Sequence, residues 1–373
     1  MRVHPARAVP TLLLMIAVAI GVAACGGGAA PAAPASSAPL SAVLPSAPPS
    51  GPQSLSETGS TLLYPLFNDW AQAYEGQFAN VKLHTDGTGS STGVSSAAGG
   101  TADLGASDAY LSSAEAVRYP ALENIPLAIA AQMINYNVPD VAANLKLDSA
   151  VLADMYQGTI TRWNDQAIRA LNPGVPLPGL KIVPIHRSGG SGDTFLFTSY
   201  LSQPGSAWAS SAGFSTTVAW PPVPGALAEP SNMSMVSACK AHPGCVAYIG
   251  ISYMSQTSGS LGEAQLLNGS GRYVLPDAAS ISAEAADFAA NTPANGVISL
   301  MDGFASGGYP IVNYEYAIVS TRQPSSQKAA TIRAFLNWVL TDGSSSAYLS
   351  RVGFEPLPSQ VLAIADTLIA KVG

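Results

Sequence analysis

Three times in this chain a strand-like run ends in a turn of Gly with Ser or Thr that opens a helix-like run, at Gly59-Ser60-Thr61, Gly89-Ser90-Ser91 and Gly190-Ser191-Gly192. Around the first, Leu62, Leu66, Trp70 and Leu63, Phe67 recur at three- and four-residue spacing and predict a helix from Leu62 to about Tyr74. The second follows the short strand pattern Val81-Lys82-Leu83. The third joins a strand over Lys181 to His186 to a helix from Ser191 to about Leu201, with Arg187 to Gly190 as the turn. Farther on, Pro310 to Ser320 reads as a strand and Thr331 to Leu340 as a helix. Strands alternating with helices in this way predict an α/β architecture.

The repeated turn also constrains chemistry. A helix's first turn presents unpaired N–H groups and about half a unit of positive charge, so converging helix starts replace the hydration of an anion. Any one such turn is no more than a cap. Arg187, immediately before the third, adds a planar fork suited to a tetrahedral oxyanion. Asp108, in Asp103-Leu104-Gly105-Ala106-Ser107-Asp108, makes sense beside an anion only if that anion carries a proton. An ionised carboxylate only accepts hydrogen bonds; it binds the P–OH of hydrogen phosphate and repels the bare oxygen of sulfate.

The chain's 373 residues, 47% of them hydrophobic, suffice for two lobes. Sixteen basic and 23 acidic residues give −7, and without a basic stripe that field repels nucleic acid. Arg2 and Arg7 followed by the apolar run Thr11 to Val22 read as an export signal, too short for a comfortable span. The run closes on Val22-Ala23-Ala24-Cys25, similar to the bacterial lipobox that is cleaved and lipidated at cysteine; ordinary signal cleavage is the alternative. Loss of residues 1–24 takes away two arginines and leaves −9. Residues 25–54, rich in Gly, Ala, Pro and Ser, read as a tether, with the folded part beginning near Leu55. Cys239 and Cys245 flank a Pro-Gly turn and, in an exported chain, are expected to form a disulfide; a metal or redox pair lacks the two-residue spacing and a nearby ligand cluster. The sequons at Asn232 and Asn268 matter only on a eukaryotic secretory route.

Four separated segments, in order, carry a family resemblance: Gly59-Ser60-Thr61, Gly89-Ser90-Ser91, Gly105-Ala106-Ser107-Asp108 and His186-Arg187-Ser188-Gly189-Gly190-Ser191-Gly192-Asp193-Thr194-Phe195. They resemble the segments lining phosphate in the periplasmic phosphate-binding proteins of ABC transporters. The resemblance runs from about residue 55 to the C-terminus. Through Gln157-Gly158-Thr159, Thr194-Phe195-Leu196-Phe197-Thr198 and Asn313-Tyr314-Glu315-Tyr316-Ala317 it leans toward the mycobacterial phosphate-binding lipoproteins. It implies a type II periplasmic-binding-protein fold of two hinge-linked α/β lobes, one from 55–131 plus 314–373 and the other from 132–313, with phosphate between them. It implies that Thr61 and the N–H of Leu62 hold one side of the ligand and Ser90 another, that Asp108 accepts its proton, that Arg187 pairs with its charge, and that Ser191, Gly192 and Asp193 cap it. The chain departs from the pattern in having Leu at 62 where many members have Phe, Gly189 where many carry an Asp that holds the arginine, and Asp193 where many have Thr. Asp193 is therefore expected either to orient Arg187 or to accept a second ligand proton. Implied partners are phosphate, ABC permease subunits and the membrane under a lipid anchor; the resemblance implies a monomer with no cofactor and no metal.

A hydrolase would need Ser191 served by His186, but neighbouring strand residues point to opposite faces, so an inward Arg187 turns His186 outward. His84 and His242 make no metal-ligand spacing. A surface receptor or adhesin that keeps the fold and leaves its cleft a relic is the rival of another class, and sulfate or molybdate the rival ligand.

Overall fold

The computed structural model describes residues 45–141, 144–203 and 206–373, all within the compact unit Val43–Gly373. The expected export signal, Cys25 and the tether as far as residue 44 lie outside the described residues.

Strand β1 (Gln53–Gly59) turns into helix α1 (Tyr64–Gln77), followed by β2 (Val81–Asp86), α2 (Ser90–Gly99), β3 (Leu104–Ser107) and the long β4 (Leu122–Tyr136). Then come β5 (Val183–Arg187), α3 (Gly192–Leu201), β6 (Leu227–Glu229), α4 (Asn232–Ala241), β7 (Cys245–Gly250), β8 (Val312–Ser320) and α5 (Ser326–Leu340), with shorter pieces between. The main sheet runs β2-β1-β3-β8-β4-β7-β5-β6. Within it β1 is parallel to β2 and β3, and β5 is parallel to β6 and β7. β4 and β8 join these two parallel sets by antiparallel pairing.

β4 changes partner part-way. Leu122 to Ala131 pair with β8, and Gln132 to Tyr136 pair with β7. It is covered on both faces, which is why its sequence is a near-continuous apolar run and not an alternation. The parallel strands all deliver their carboxyl ends to the same region: β1 at Gly59, β3 at Ser107, β5 at Arg187 and β6 at Glu229, each followed by a turn and most by a helix start. In open α/β sheets that edge is where ligands bind.

Two aromatic clusters hold the helices to the sheet. Tyr74 of α1 meets Phe335 and Trp338 of α5 with ring centroids 5.1 and 5.4 Å apart, and Trp70 Nε1 donates to Gly343 O at 2.9 Å. On the other side Phe197 of α3 stacks on Tyr248 of β7 at 4.6 Å. Cys239 at the end of α4 and Cys245 at the start of β7 form a disulfide, with Cα atoms 5.4 Å apart.

Several boundaries fall elsewhere than the sequence pattern put them: the strand expected over Lys181 to His186 runs Val183–Arg187, so that Arg187 ends the strand instead of opening the turn, and the helix expected from Thr331 starts at Ser326. The helix expected from Leu62 starts at Tyr64, because Thr61 to Leu63 form the turn and Pro65, which has no N–H to donate, fits the first helical turn. Order begins ahead of Leu55: β1 starts at Gln53, and the supposed tether is bound before it. Ser46 O accepts from Tyr74 OH at 3.1 Å, Ser46 Oγ from Asn337 Nδ2 at 2.8 Å, and Pro49 O from Asn80 Nδ2 at 3.0 Å. A segment too poor in apolar residues to form a core of its own is fixed by polar groups on a core made elsewhere.

Candidate functional site

Thr61 follows β1, Ser90 opens α2, Asp108 lies one residue beyond β3, Arg187 ends β5, Ser191 caps α3, and Gly192 and Asp193 form its first turn. None of the six side chains is more than 3% exposed. The structure brings them into one hydrogen-bonded cluster drawn from both parallel strand sets.

On the β1–β3 side, Asp108 accepts from Ser60 Oγ, at very short range, and from Ser90 Oγ at 3.2 Å. Ser60 Oγ in turn accepts from the N–H groups of Leu62 and Leu63, both at 3.0 Å. The Leu62 N–H expected to face the ligand is therefore spent on a local cap, and the side chain of Leu62 is core. On the β5–β6 side, Arg187 Nη1 lies 2.5 Å from Asp193 Oδ2, 2.9 Å from Ser191 Oγ and 3.1 Å from Thr61 Oγ1, while Nη2 donates to Pro230 O at 2.6 Å. Arg187 Nε has no partner among the described residues. The two sides touch directly: the Gly192 N–H donates to Ser90 Oγ at 2.9 Å. That approach requires glycine, since a Cβ at 192 would stand 2.6 Å from Asp108 Cβ.

Asp193 is the carboxylate that holds the arginine, one of the two roles expected of it. Gln132 Nε2 donates to its Oδ1 at 3.0 Å and Asn232 Nδ2 to its Oδ2 at 3.0 Å, so its acceptor sites are largely filled by protein. Gly189 makes no such contact, and a side chain built there meets nothing within 4 Å. Burial is the main force raising the carboxyls of both Asp108 and Asp193 above their ordinary range. For Asp193 the charge of Asp108 adds to it, and Arg187, Ser191 and Asn232 oppose it. For Asp108 the lowering comes from Glu315, Ser60, Arg187 and Ser90.

His186 stacks on Trp220 with centroids 4.6 Å apart, its Nδ1 bonded to Arg187 O at 3.0 Å. Ser191 Oγ is engaged by Arg187 and Asp193. No histidine serves it, so a serine-histidine pair is absent from this cluster. Among the described residues no group of three His, Cys, Asp or Glu side chains is arranged to hold a metal ion, and no helix is long and apolar enough to cross a membrane.

Sequence reasoning passed over several members of the cluster. Asn232, noticed only as a sequon, is fully buried: its Nδ2 donates to Thr61 Oγ1 at 3.0 Å and its Oδ1 accepts from the Gly250 N–H at 2.8 Å. The signal was a fourth strand-turn-helix, β6 through Pro230-Ser231 into α4, without the glycine that marked the others. The other sequon residue, Asn268, is also buried, by bonds to the carbonyls of Ala305, Ser306 and Gly308. Gln132, Asn313 and Glu315 are polar residues set in buried, largely apolar strands, which is itself a signal. Asn313 Nδ2 reaches Asp108 O at very short range, and Tyr253 OH donates to Thr61 O at 2.9 Å.

A domain model described as the PBP superfamily domain matches residues 46–343. The phosphate-binding protein PstS of Methanocaldococcus jannaschii is 32% identical over 326 residues, covering 82% of this chain and 83% of that protein. The chain belongs to the PstS phosphate-binding protein family. Another PstS protein, from Mycobacterium bovis, is 29% identical over 332 residues, 86% of each chain. The periplasmic-binding-protein fold is shared with the substrate-binding protein of a phosphate ABC transporter from Clostridium perfringens, solved with bound phosphate: TM-score 0.60 at 15% identity, over 82% of this chain and all of that one.

Proposed function

We propose that this protein captures inorganic phosphate between two lobes on the outer side of the cell membrane and passes it to the permease of an ABC transporter. One observation carries the reading: Thr61, Ser90, Asp108, Arg187 and Ser191, from four separate segments, share one buried point where helix starts, a guanidinium and a carboxylate converge. The hydroxyls of Thr61, Ser90 and Ser191 supply donors to a tetrahedral oxyanion, the Gly192 N–H, which donates to Ser90 Oγ, closes the cluster beside them, and Arg187, held by Asp193, supplies the positive charge. Asp108 accepts the ligand's proton and excludes a ligand that has none.

The partner change of β4 at Ala131/Gln132 supports a lobe of 55–131 plus 314–373 and a second of 132–313, with β4 and β8 as the crossing strands and hinge closure as the motion. The name of the Clostridium perfringens protein supports the transporter partner. The Val22-Ala23-Ala24-Cys25 sequence supports a lipid anchor at Cys25, with the protein acting as a monomer. Overall identity does not single out the mycobacterial proteins, at 29% against 32% for the archaeal one, so that kinship rests on the local motifs quoted above.

Calorimetry on protein lacking residues 1–24, with phosphate, arsenate and sulfate side by side, tests the reading. Phosphate and arsenate should release heat and sulfate should not. No heat with phosphate at micromolar protein would favour a receptor or adhesin with a relic cleft, and turnover of a chromogenic phosphate ester would revive the hydrolase.

A further inference from the structure

Glu315 sits in the middle of β8, fully buried, and among the described residues no donor group bonds either of its carboxyl oxygens. The antiparallel ladder between β3 and β8 ends with Tyr316 paired to Ser107, so Asp108 and Glu315 are the next residue on either chain, and their side chains come within hydrogen-bonding reach. Across the other edge of β8 its pairing partner on β4 is Ala128, which offers nothing polar. The charged and titratable groups around it are Asp108 from the end of β3, Asp193 from the start of α3 and Tyr316 beside it on β8. The guanidinium of the cluster, Arg187, acts on Asp108 and Asp193.

Two ionised carboxylates have no hydrogen to place between them, and at contact distance one of the pair must keep its proton. Asp108 receives two hydroxyls and the Arg187 field; Glu315 receives none of these. We propose that Glu315 is a neutral carboxylic acid whose hydroxyl donates to Asp108, positioning that carboxylate and keeping it ionised so that its remaining lone pair meets the protonated oxygen of the ligand. Burial first, and the Asp108 charge second, raise Glu315 well above its ordinary range, in keeping with this assignment. The same bond draws Asp108 back down.

Glu315 is thus a specificity-determining residue that need not touch the ligand: it fixes which carboxyl of the pair is the acceptor. An ionised Glu315 would place three carboxylates around a single guanidinium before any anion arrived. The inference rests on the phosphate reading only for its consequence; the location of the proton stands apart from it.

Infrared difference spectra of the ligand-free protein, wild type minus Glu315→Gln, provide the test at neutral pH. The expected result is loss of a neutral-acid carbonyl band that shifts when glutamate carboxyls are labelled with carbon-13 and stays in place when aspartate is labelled. A carboxylate band in its place, or a band that follows aspartate labelling, overturns the proposal. Glutamine keeps a donor toward Asp108 and leucine has none, so Glu315→Gln should bind phosphate about tenfold more tightly than Glu315→Leu. Equal affinities would likewise overturn it. If the wild type itself binds no phosphate, the phosphate reading fails while the spectra still decide where the proton resides.

Discussion

The two sides of the cluster each contribute a fully buried aspartate, and the two are put to different uses. Asp193 is surrounded by Arg187, Ser191, Gln132 and Asn232, all donors to it, and is the internal counter-ion of the guanidinium. Asp108 accepts from the hydroxyls of Ser60 and Ser90 and faces a second carboxyl, that of Glu315. Identical chemistry therefore gives a structural group where the protein fills its lone pairs, and a recognition group where it leaves capacity for a ligand's hydrogen.

The contrast is broken most forcefully at Arg187. Arg187→Met leaves Asp193 buried without its partner and should cost about 3–5 kcal/mol of stability, with phosphate affinity down by more than about a hundredfold; chemical denaturation and calorimetry read the two. Adding Asp193→Thr to Arg187→Met should restore much of the stability and none of the binding, since the carboxylate that Arg187 paired with is then gone as well. A double variant no more stable than the single one would show that Asp193 is not primarily the counter-ion.

Asp108→Asn comes next. It should narrow the preference for phosphate over sulfate by about tenfold, because an amide donates to the oxygen that a carboxylate repels. An unchanged ratio in competition titrations would remove Asp108 from the role of proton acceptor. Asp193→Thr alone should weaken phosphate binding by about tenfold with that ratio preserved, as the arginine loses its brace. Gly189→Asp in the same chain should recover part of the loss, since position 189 has open space and follows Arg187 by two residues.

The smallest effect lies outside the cluster and calibrates it. Glu284 is buried with one oxygen bonded to the Gly303 N–H and the other without a partner among the described residues, and burial lifts its carboxyl from 4.5 to about 7. Between those values the folded protein keeps a proton that the unfolded chain gives up, so this group's contribution to stability is complete below pH 4.5 and falls away as pH rises to 7. Glu284→Gln should flatten that slope and raise Tm by about 2 °C above pH 7, by scanning calorimetry, with the phosphate affinity unmoved.

Much of the site was legible because its parts are local objects. A Gly and hydroxyl turn between a strand and a helix announces itself at Thr61, Ser90 and Ser191 over a few residues, and Arg187 next to such a turn stands out in a chain with 16 basic residues. Gln132, Asn232 and Glu315 were harder to see. None lies in a Gly and hydroxyl turn, and each acquires its role from a group 39 or more positions away: Asn232 and Gln132 at Asp193, 39 and 61 residues distant, and Glu315 at Asp108.

The division has a physical basis. Backbone conformation, helix starts and the alternation of strands and helices depend on interactions within a few residues, so the order of residues alone settled the α/β class, the anion-directed turns and the donor types available to them. Which aspartate braces the arginine, which stays open to a ligand, and which carboxyl keeps its proton are differences in burial and in neighbours brought together by sheet register. Those quantities exist only once β3, β5 and β8 have been laid side by side by the fold.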